Sequence, residues 1–169
     1  MINRRNFVLA GVFAVLAGCT QQQLVDAGTA SNLRVAEVSV STQVTRENTA
    51  IPKQQILDTV QTKSFSRLSS ANRAGGRPVR VHVDVVQFHI ANPALAALIG
   101  ADTSTINTEV SLFDMKTGAL IGDKFEVHGA TENYGIGILG AAFIRTPKKE
   151  LDEATDSLAN NMKIAIFGE

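Results

Sequence analysis

The chain has 169 residues, of which 44% are hydrophobic, and its 16 basic residues are balanced by 16 acidic ones. This balance excludes a general electrostatic reason for binding nucleic acid or an anionic membrane surface. A single cysteine excludes an intramolecular disulfide, so packing alone must hold the fold together.

Residues 1–19 follow the pattern of an export signal. The basic pair Arg4 and Arg5 precedes an apolar run over 7–16, and small residues then lead to the cysteine. Those ten residues are too few to span a bilayer, which needs about 20. A basic head, a short apolar run and small residues before a cleavage point predict a signal peptide over 1–18.

The end of this segment, Leu16-Ala17-Gly18-Cys19, resembles the lipobox of bacterial lipoproteins. Ala17 and Gly18 are small enough for a peptidase site, and Leu16 would fill an apolar pocket there. The resemblance implies a diacylglycerol thioether on Cys19, cleavage before it and acylation of the new amine. Several acyl chains give a stable anchor, at about 0.8 kcal/mol per buried CH₂. Because Thr20 rather than an aspartate follows, the resemblance favours the outer membrane.

Two features of the same segment allow other interpretations. Residues 3–8 are also similar to the twin-arginine consensus, which would export a folded domain, although two arginines equally form the basic head of an ordinary signal. A lone cysteine can also be a buried core residue, but Cys19 stands where a lipobox places it. Cleavage removes Arg4 and Arg5 and leaves 14 basic against 16 acidic residues, in a chain whose size suits one domain.

The mature chain begins with a polar stretch, 19–32, whose lack of periodicity predicts a lipidated tether. Alternation over 33–42 predicts the first strand. Its inward residues are Ala36, Val38 and Val40. Pro52 stands where a helix can begin, and apolar residues recur at helical spacing until Ala74–Pro78 ends the pattern. The buried face of this helix comprises Ile56, Leu57, Val60, Ser64 and Leu68.

Alternating valines predict the second strand, and a hairpin supplies two more. The inward positions of the second strand are Val79, Val81, Val83 and Val85. The alternation then slips by one residue, which indicates a bulge. The inward residues after the slip are Val86, Phe88 and Ile90. The third strand spans 103–114 and the fourth 120–128, with a turn at 115–118 between them.

Thr146 and Pro147 predict the start of a last helix. Its buried stripe comprises Leu151, Ala154, Leu158, Met162 and Ile166. The order β-α-β-β-β-α predicts a two-layer α/β (α+β) sandwich, in which one mixed four-stranded sheet over 33–169 carries two helices on one face. A right-handed first crossover then places the apolar loops 94–101 and 136–144 side by side.

Four features of this part of the chain resemble a bacterial lipoprotein domain family of unknown function. They are the valine alternation from Val79, the segment Leu98-Ile99-Gly100, the hairpin Leu112–Gly118 and the glycine-rich loop before the last helix. That family is related in fold to the periplasmic domains of the curli-secretion lipoprotein and of the penicillin-binding-protein activators. The resemblance covers residues 33–167 and implies no catalytic residues, because no catalytic motif defines the family.

The remaining motifs favour structural interpretations. Residues 135–140 match GxGxxG, but a Rossmann unit also needs a further parallel strand and an acidic residue after it, so we expect no dinucleotide cofactor. His82, His89 and His128 lack the spacing of metal ligands, so we expect no metal. No serine lies in a G-x-S-x-G elbow, and we expect no enzymatic activity.

Two functions remain open at this stage. The first is a non-catalytic interaction or assembly module of the cell envelope, anchored by lipid to the periplasmic face of a membrane. It would contact an envelope protein either through the apolar loop end, where the candidate residues are Leu98, Ile99, Ile138 and Leu139, or through the open polar face of the sheet. The alternative is an envelope hydrolase or small-ligand-binding protein that acts on peptidoglycan or lipid and uses the three histidines and nearby acids as its site.

Overall fold

A computed structural model describes residues 22–45, 51–92, 103–131 and 146–169. The helices in these ranges are α1 (Ala27–Asn32), α2 (Lys53–Ala71) and α3 (Pro147–Phe167). The strands are β1 (Leu33–Thr42), β2 (Arg77–His89), β3 (Thr105–Asp114) and β4 (Phe125–Ala130). They form one sheet in the order β1-β2-β3-β4, in which β1 and β2 are parallel and the other neighbours antiparallel. The predicted mixed sheet and the order β-α-β-β-β-α are confirmed, and α1 precedes them.

The helices α2 and α3 pack against each other and against the same face of the sheet, α2 on β1 and α3 on β4. All five predicted stripe residues of α3 are buried, and Thr146 caps this helix by accepting a hydrogen bond from the Lys149 N–H. On α2 the predicted face is also buried, apart from Leu57, which is partly buried against the core. The described core therefore lies between one face of the sheet and these two helices.

A bulge in β1 changes which of its residues face the core. The pairing with β2 shifts between Val35 and Glu37, so Ala36 is an extra residue without a partner. Leu33 and Val35 are buried before the bulge, and Val38 is buried after it. The prediction that Ala36 shares the inward side with Val38 is therefore wrong, because a bulge puts two residues of one strand against one residue of the other.

The predicted slip in β2 is confirmed, but the side assigned to Val86 is wrong. The pairing with β3 shifts between Val85 and Gln87, so Val86 has no partner and is 54% exposed. Phe88 and Ile90 are buried, as the shifted alternation predicts. Val86 is therefore the extra residue of the bulge, and the inward positions resume at Phe88.

Residues 22–32 are packed on the domain, whereas the sequence predicted a tether without regular structure as far as Asn32. The Leu24 N–H donates to the Ala165 carbonyl at 2.7 Å, and the Gln23 amide donates to the Ile166 carbonyl at 3.2 Å. Asp26 caps α1 by accepting from the Thr29 N–H at 2.8 Å. The contacts of Gln23 and Leu24 with α3 connect residues far apart in the sequence, which periodicity does not reveal.

The strand β4 spans Phe125–Ala130, whereas the sequence predicted 120–128, so Gly129 belongs to the strand and not to the glycine-rich loop after it. A Cβ atom on Gly129 would collide with the carbonyl of Ala154 and with Leu158, both in α3. Glycine is therefore needed here for the close approach of a helix to a strand rather than for a loop.

The strand register defines two ends of the sheet. Thr42 pairs with Val85 beside the end of β2, while Thr105 pairs with both His89 and Ala130. We call this the loop end, because residues 46–50, 93–102 and 132–145 connect to it. At the other end, the hairpin end, the turn 115–118 joins β3 to the chain leading into β4, and Gly118 adopts the positive φ of 72° that this turn requires.

Candidate functional site

The sheet face that points away from α2 and α3, the open face, carries mostly polar residues in rows across the strands. The rows are Glu37–Arg80–Phe113, Ser39–His82–Ser111 and Ser41–Asp84–Glu109–Glu126. In the first row the Arg80 guanidinium lies 5.4 Å from the centroid of the Phe113 ring, which is a cation–π contact.

His82 lies between two serines of the neighbouring strand. Its Nδ1 is 2.9 Å from Ser39 Oγ, and its Nε2 is 3.1 Å from Ser41 Oγ. Ser41 donates its one hydroxyl proton to Asp84 Oδ1, 2.9 Å away. The Ser41 oxygen is therefore left as an acceptor for His82 Nε2, and the other ring nitrogen, Nδ1, bonds to the Ser39 hydroxyl. A nucleophilic triad instead places the carboxylate on the imidazole, so the order of these groups differs from that of a serine hydrolase.

Three carboxylates occupy neighbouring positions in the last row: Asp84, Glu109 and Glu126. Lys124 Nζ lies 2.7 Å from Glu109 Oε1. Its hydrogen bond to Glu109, together with the charges of Glu109 and Asp84, raises the pKa of Lys124. Because both partners are substantially exposed, the ion pair is screened by water and mainly offsets the repulsion within this row.

The three histidines lie at different heights on the sheet. His82 pairs with Ser111, whereas His128 pairs with Asn107, four residues along β3. At about 3.4 Å per residue, the two residues lie roughly 14 Å apart along the strand, while a zinc ion binds its ligands at about 2 Å. Within the described ranges, no group of three histidine, cysteine, aspartate or glutamate side chains could hold a metal ion.

At the loop end, a buried network of hydrogen bonds centres on Ser104. The Ser104 hydroxyl accepts from the Ala91 N–H at 2.9 Å and donates to Glu150 Oε2 at 2.8 Å. Its backbone N–H donates to Thr131 Oγ1 at 3.1 Å, and its carbonyl accepts from the Thr131 N–H at 3.0 Å. Ser104 is fully buried, and we call these four residues the Ser104 clamp.

The Ser104 clamp joins the chain ends that flank two long connections. Ala91 precedes the segment 93–102 and Ser104 follows it, while Thr131 precedes the segment 132–145 and Glu150 lies in the first turn of the helix after it. The segments 94–101 and 136–144, which the sequence predicts to lie side by side, are outside the described residues. The described residues that flank the two segments meet at the Ser104 clamp. Sequence reasoning missed Ser104, because a serine between two threonines gives no sign of burial.

The other predicted site residues also lie outside the described ranges. They are Leu16, Ala17, Gly18, Cys19, Leu98, Ile99, Ile138 and Leu139. Every helix in the described part of the chain is too short or too polar to cross a bilayer.

No protein-family model matches the chain, and no curated protein matches its sequence. Solved structures do resemble it. A candidate lipoprotein from Caulobacter crescentus CB15 is 11% identical, covering 82% of this chain and 89% of that one, with a TM-score of 0.43. A dodecameric PelC variant from Paraburkholderia phytofirmans is also 11% identical, with coverages of 80% and 88% and a TM-score of 0.43. A minor lipoprotein from Acinetobacter baumannii is 8% identical, with coverages of 79% and 93% and a TM-score of 0.37.

Proposed function

We propose that this protein is a non-catalytic interaction or assembly module of the bacterial cell envelope, anchored through lipid on Cys19 to the periplasmic face of the outer membrane. The support for the anchor is the lipobox-like sequence Leu16–Cys19. The fold relationship to the curli-secretion and penicillin-binding-protein-activator lipoproteins is part of this proposal. We also propose that the loop end of the sheet contacts an envelope protein.

The observation that carries the proposed interaction is the Ser104 clamp. The hydrogen bonds that the Ala91 and Ser104 N–H groups donate in it are buried, and leaving one partner of such a bond unpaired costs about 1–3 kcal/mol. The clamp therefore holds the flanks of two strongly apolar segments at a fixed separation. Apolar residues presented together on a surface commonly mark a contact with a protein or membrane.

The decisive variant replaces Leu98, Ile99, Ile138 and Leu139 with serine. We expect its melting temperature to stay close to that of the parent domain, while its crosslinks to envelope proteins in cells, identified by mass spectrometry, disappear. Each apolar side chain buried in a contact contributes about 1.5–3 kcal/mol, so losing four would abolish binding. Phe65→Ser is the control, because Phe65 is an exposed apolar residue in the half of α2 that lies away from the loop end, so the crosslinks of this variant should persist.

Two results would contradict the proposal. If the four-serine variant unfolds, these residues belong to the core, since truncating a buried aliphatic side chain costs about 2–5 kcal/mol and a whole domain has only about 5–15 kcal/mol. If the variant folds and keeps its crosslinks, the partner binds elsewhere, and the open face around His82 becomes the surface to test.

A further inference from the structure

The segment 22–32 lies at the hairpin end of the domain. Leu24 and Val25 donate backbone hydrogen bonds to the Ala165 carbonyl, at 2.7 and 3.2 Å. This carbonyl lies near the C-terminus of α3, whereas the N-terminus of that helix is held at the loop end by Glu150. The segment then continues through α1 into Leu33, the first residue of β1, which also lies at the hairpin end because it pairs with Arg77.

Side-chain contacts hold this segment in place. The Asn72 amide, just after α2, donates to the carbonyls of Ser31 and Leu33 at 2.8 and 2.9 Å. The Gly76 N–H donates to Asn32 Oδ1 at 3.2 Å. The segment 22–32 is therefore tied to α3 near its beginning and to the connection between α2 and β2 near its end.

The chain between the anchor and this attachment is short. Cys19 precedes Gln23 by four residues, and a fully extended chain spans at most about 3.6 Å per residue, or about 14 Å in total. The strand β1 separates Leu33 from Thr42 by nine residues, which is about 30 Å at about 3.3 Å per residue. A lipid on Cys19 can therefore reach a bilayer lying against the hairpin end but not one lying against the loop end.

The surface of the hairpin end suits a phospholipid bilayer. Three of its large apolar side chains are exposed: Leu24 at 53%, Met115 at 47% and Leu120 at 46%. Exposed cations accompany them at Arg34, Arg73 and Lys116. The acidic residues of this end are Asp26, Asp114 and Glu169. Asp26 accepts the capping hydrogen bond of α1, and Asp114 forms an ion pair with Arg77. Apolar side chains flanked by cations are typical of a surface that rests on phospholipid headgroups.

From this placement we infer that the hairpin end is the membrane-facing surface of the anchored protein, and that the loop end points away from the bilayer by about the length of β1. The inference rests on the lipid anchor of the proposed function and adds an orientation to it. In this orientation the loop end contacts a protein located away from the membrane surface, and it does not contact the bilayer that holds the anchor.

The test uses the full-length lipidated protein in vesicles of phosphatidylethanolamine and phosphatidylglycerol that contain a headgroup-spin-labelled lipid. Lys116→Cys places a fluorescent label at the hairpin end, and Gln43→Cys places the same label just after β1 at the loop end; both positions are exposed. The thioether on Cys19 would leave the introduced thiol as the only reactive one. We expect the spin label to quench the probe at 116 several-fold more strongly than the probe at 43.

Flotation of the vesicles and a thermal melt of each labelled variant are measured first. Flotation with equal quenching at both positions, or with stronger quenching at 43, overturns the orientation while leaving the anchor intact. A folded protein that does not float contradicts the anchor itself and removes the orientation with it. Leu120→Cys and Thr45→Cys repeat the comparison at a second exposed position of each end, so that a single misfolded variant does not decide the result.

Discussion

Asp114 joins three parts of the hairpin end through one carboxylate. It lies 2.6 Å from Arg77 Nε at the start of β2. It also accepts hydrogen bonds from the backbone N–H groups of Lys116 and Thr117 at 2.8 and 2.9 Å, which closes the turn after β3. The hydrogen bond from Arg77, followed by that from the Thr117 N–H, lowers the pKa of Asp114 from 3.8 to about 2.

This lowered pKa predicts a pH-dependent stability. A carboxyl group whose pKa is lower in the folded state stabilises the fold above its unfolded pKa, and this contribution is lost as the pH falls toward the folded value. The free energy of unfolding should therefore fall between pH 4 and pH 2. Asp114→Asn should be less stable than the parent at pH 6 and should lose less on acidification, as measured by urea denaturation at each pH.

The control for this prediction is Asp123→Asn, an exposed aspartate before β4. It should keep the acid-dependent loss of the parent. Equal acid sensitivity of Asp114→Asn and the parent would show that the contact with Arg77 does not stabilise the fold.

At the scale of one strand, the bulge in β2 predicts opposite results for the same substitution at two nearby valines. Val83 is fully buried, so Val83→Asp would bury a charge without a partner, at a cost large enough to prevent folding. Val86 is 54% exposed at the bulge, so Val86→Asp should remain folded with a melting temperature close to that of the parent. Thermal melting followed by circular dichroism distinguishes the two variants. A cooperative melt for Val83→Asp, or an unfolded Val86→Asp, would place the bulge elsewhere.

At the scale of the whole molecule, the anchor predicts how the protein is processed. Cys19→Ala removes the thiol that would carry the diacylglycerol, so the variant should accumulate as an uncleaved precursor and acquire no palmitate. Metabolic labelling with palmitate and mass spectrometry of the N-terminus measure both effects. Thr20→Ala is the control and should be labelled and cleaved like the parent. Normal labelling of Cys19→Ala would disprove the anchor and, with it, the proposed location.

The sequence by itself determined the features that depend on neighbouring residues. Helical spacing identified the buried stripe of α3, Thr146 marked its cap, and alternation identified the strands and their order. The turn at 115–118 was predicted from its residue types and is present. These predictions succeeded because caps, turns and one-sided burial are decided within a few residues of the chain.

Only the tertiary structure decided the features that depend on distant atoms. The bulge at Ala36 follows from the register of β1 against β2, and Gly129 belongs to a strand because α3 approaches it closely. The same register sets His82 between two serines, while parity alone could assign it only to the polar face. The Ser104 clamp and the docking of residues 22–32 join segments tens of residues apart. Each polar group there needs a hydrogen-bond partner, but the neighbouring residues in the sequence do not determine which distant group it will be.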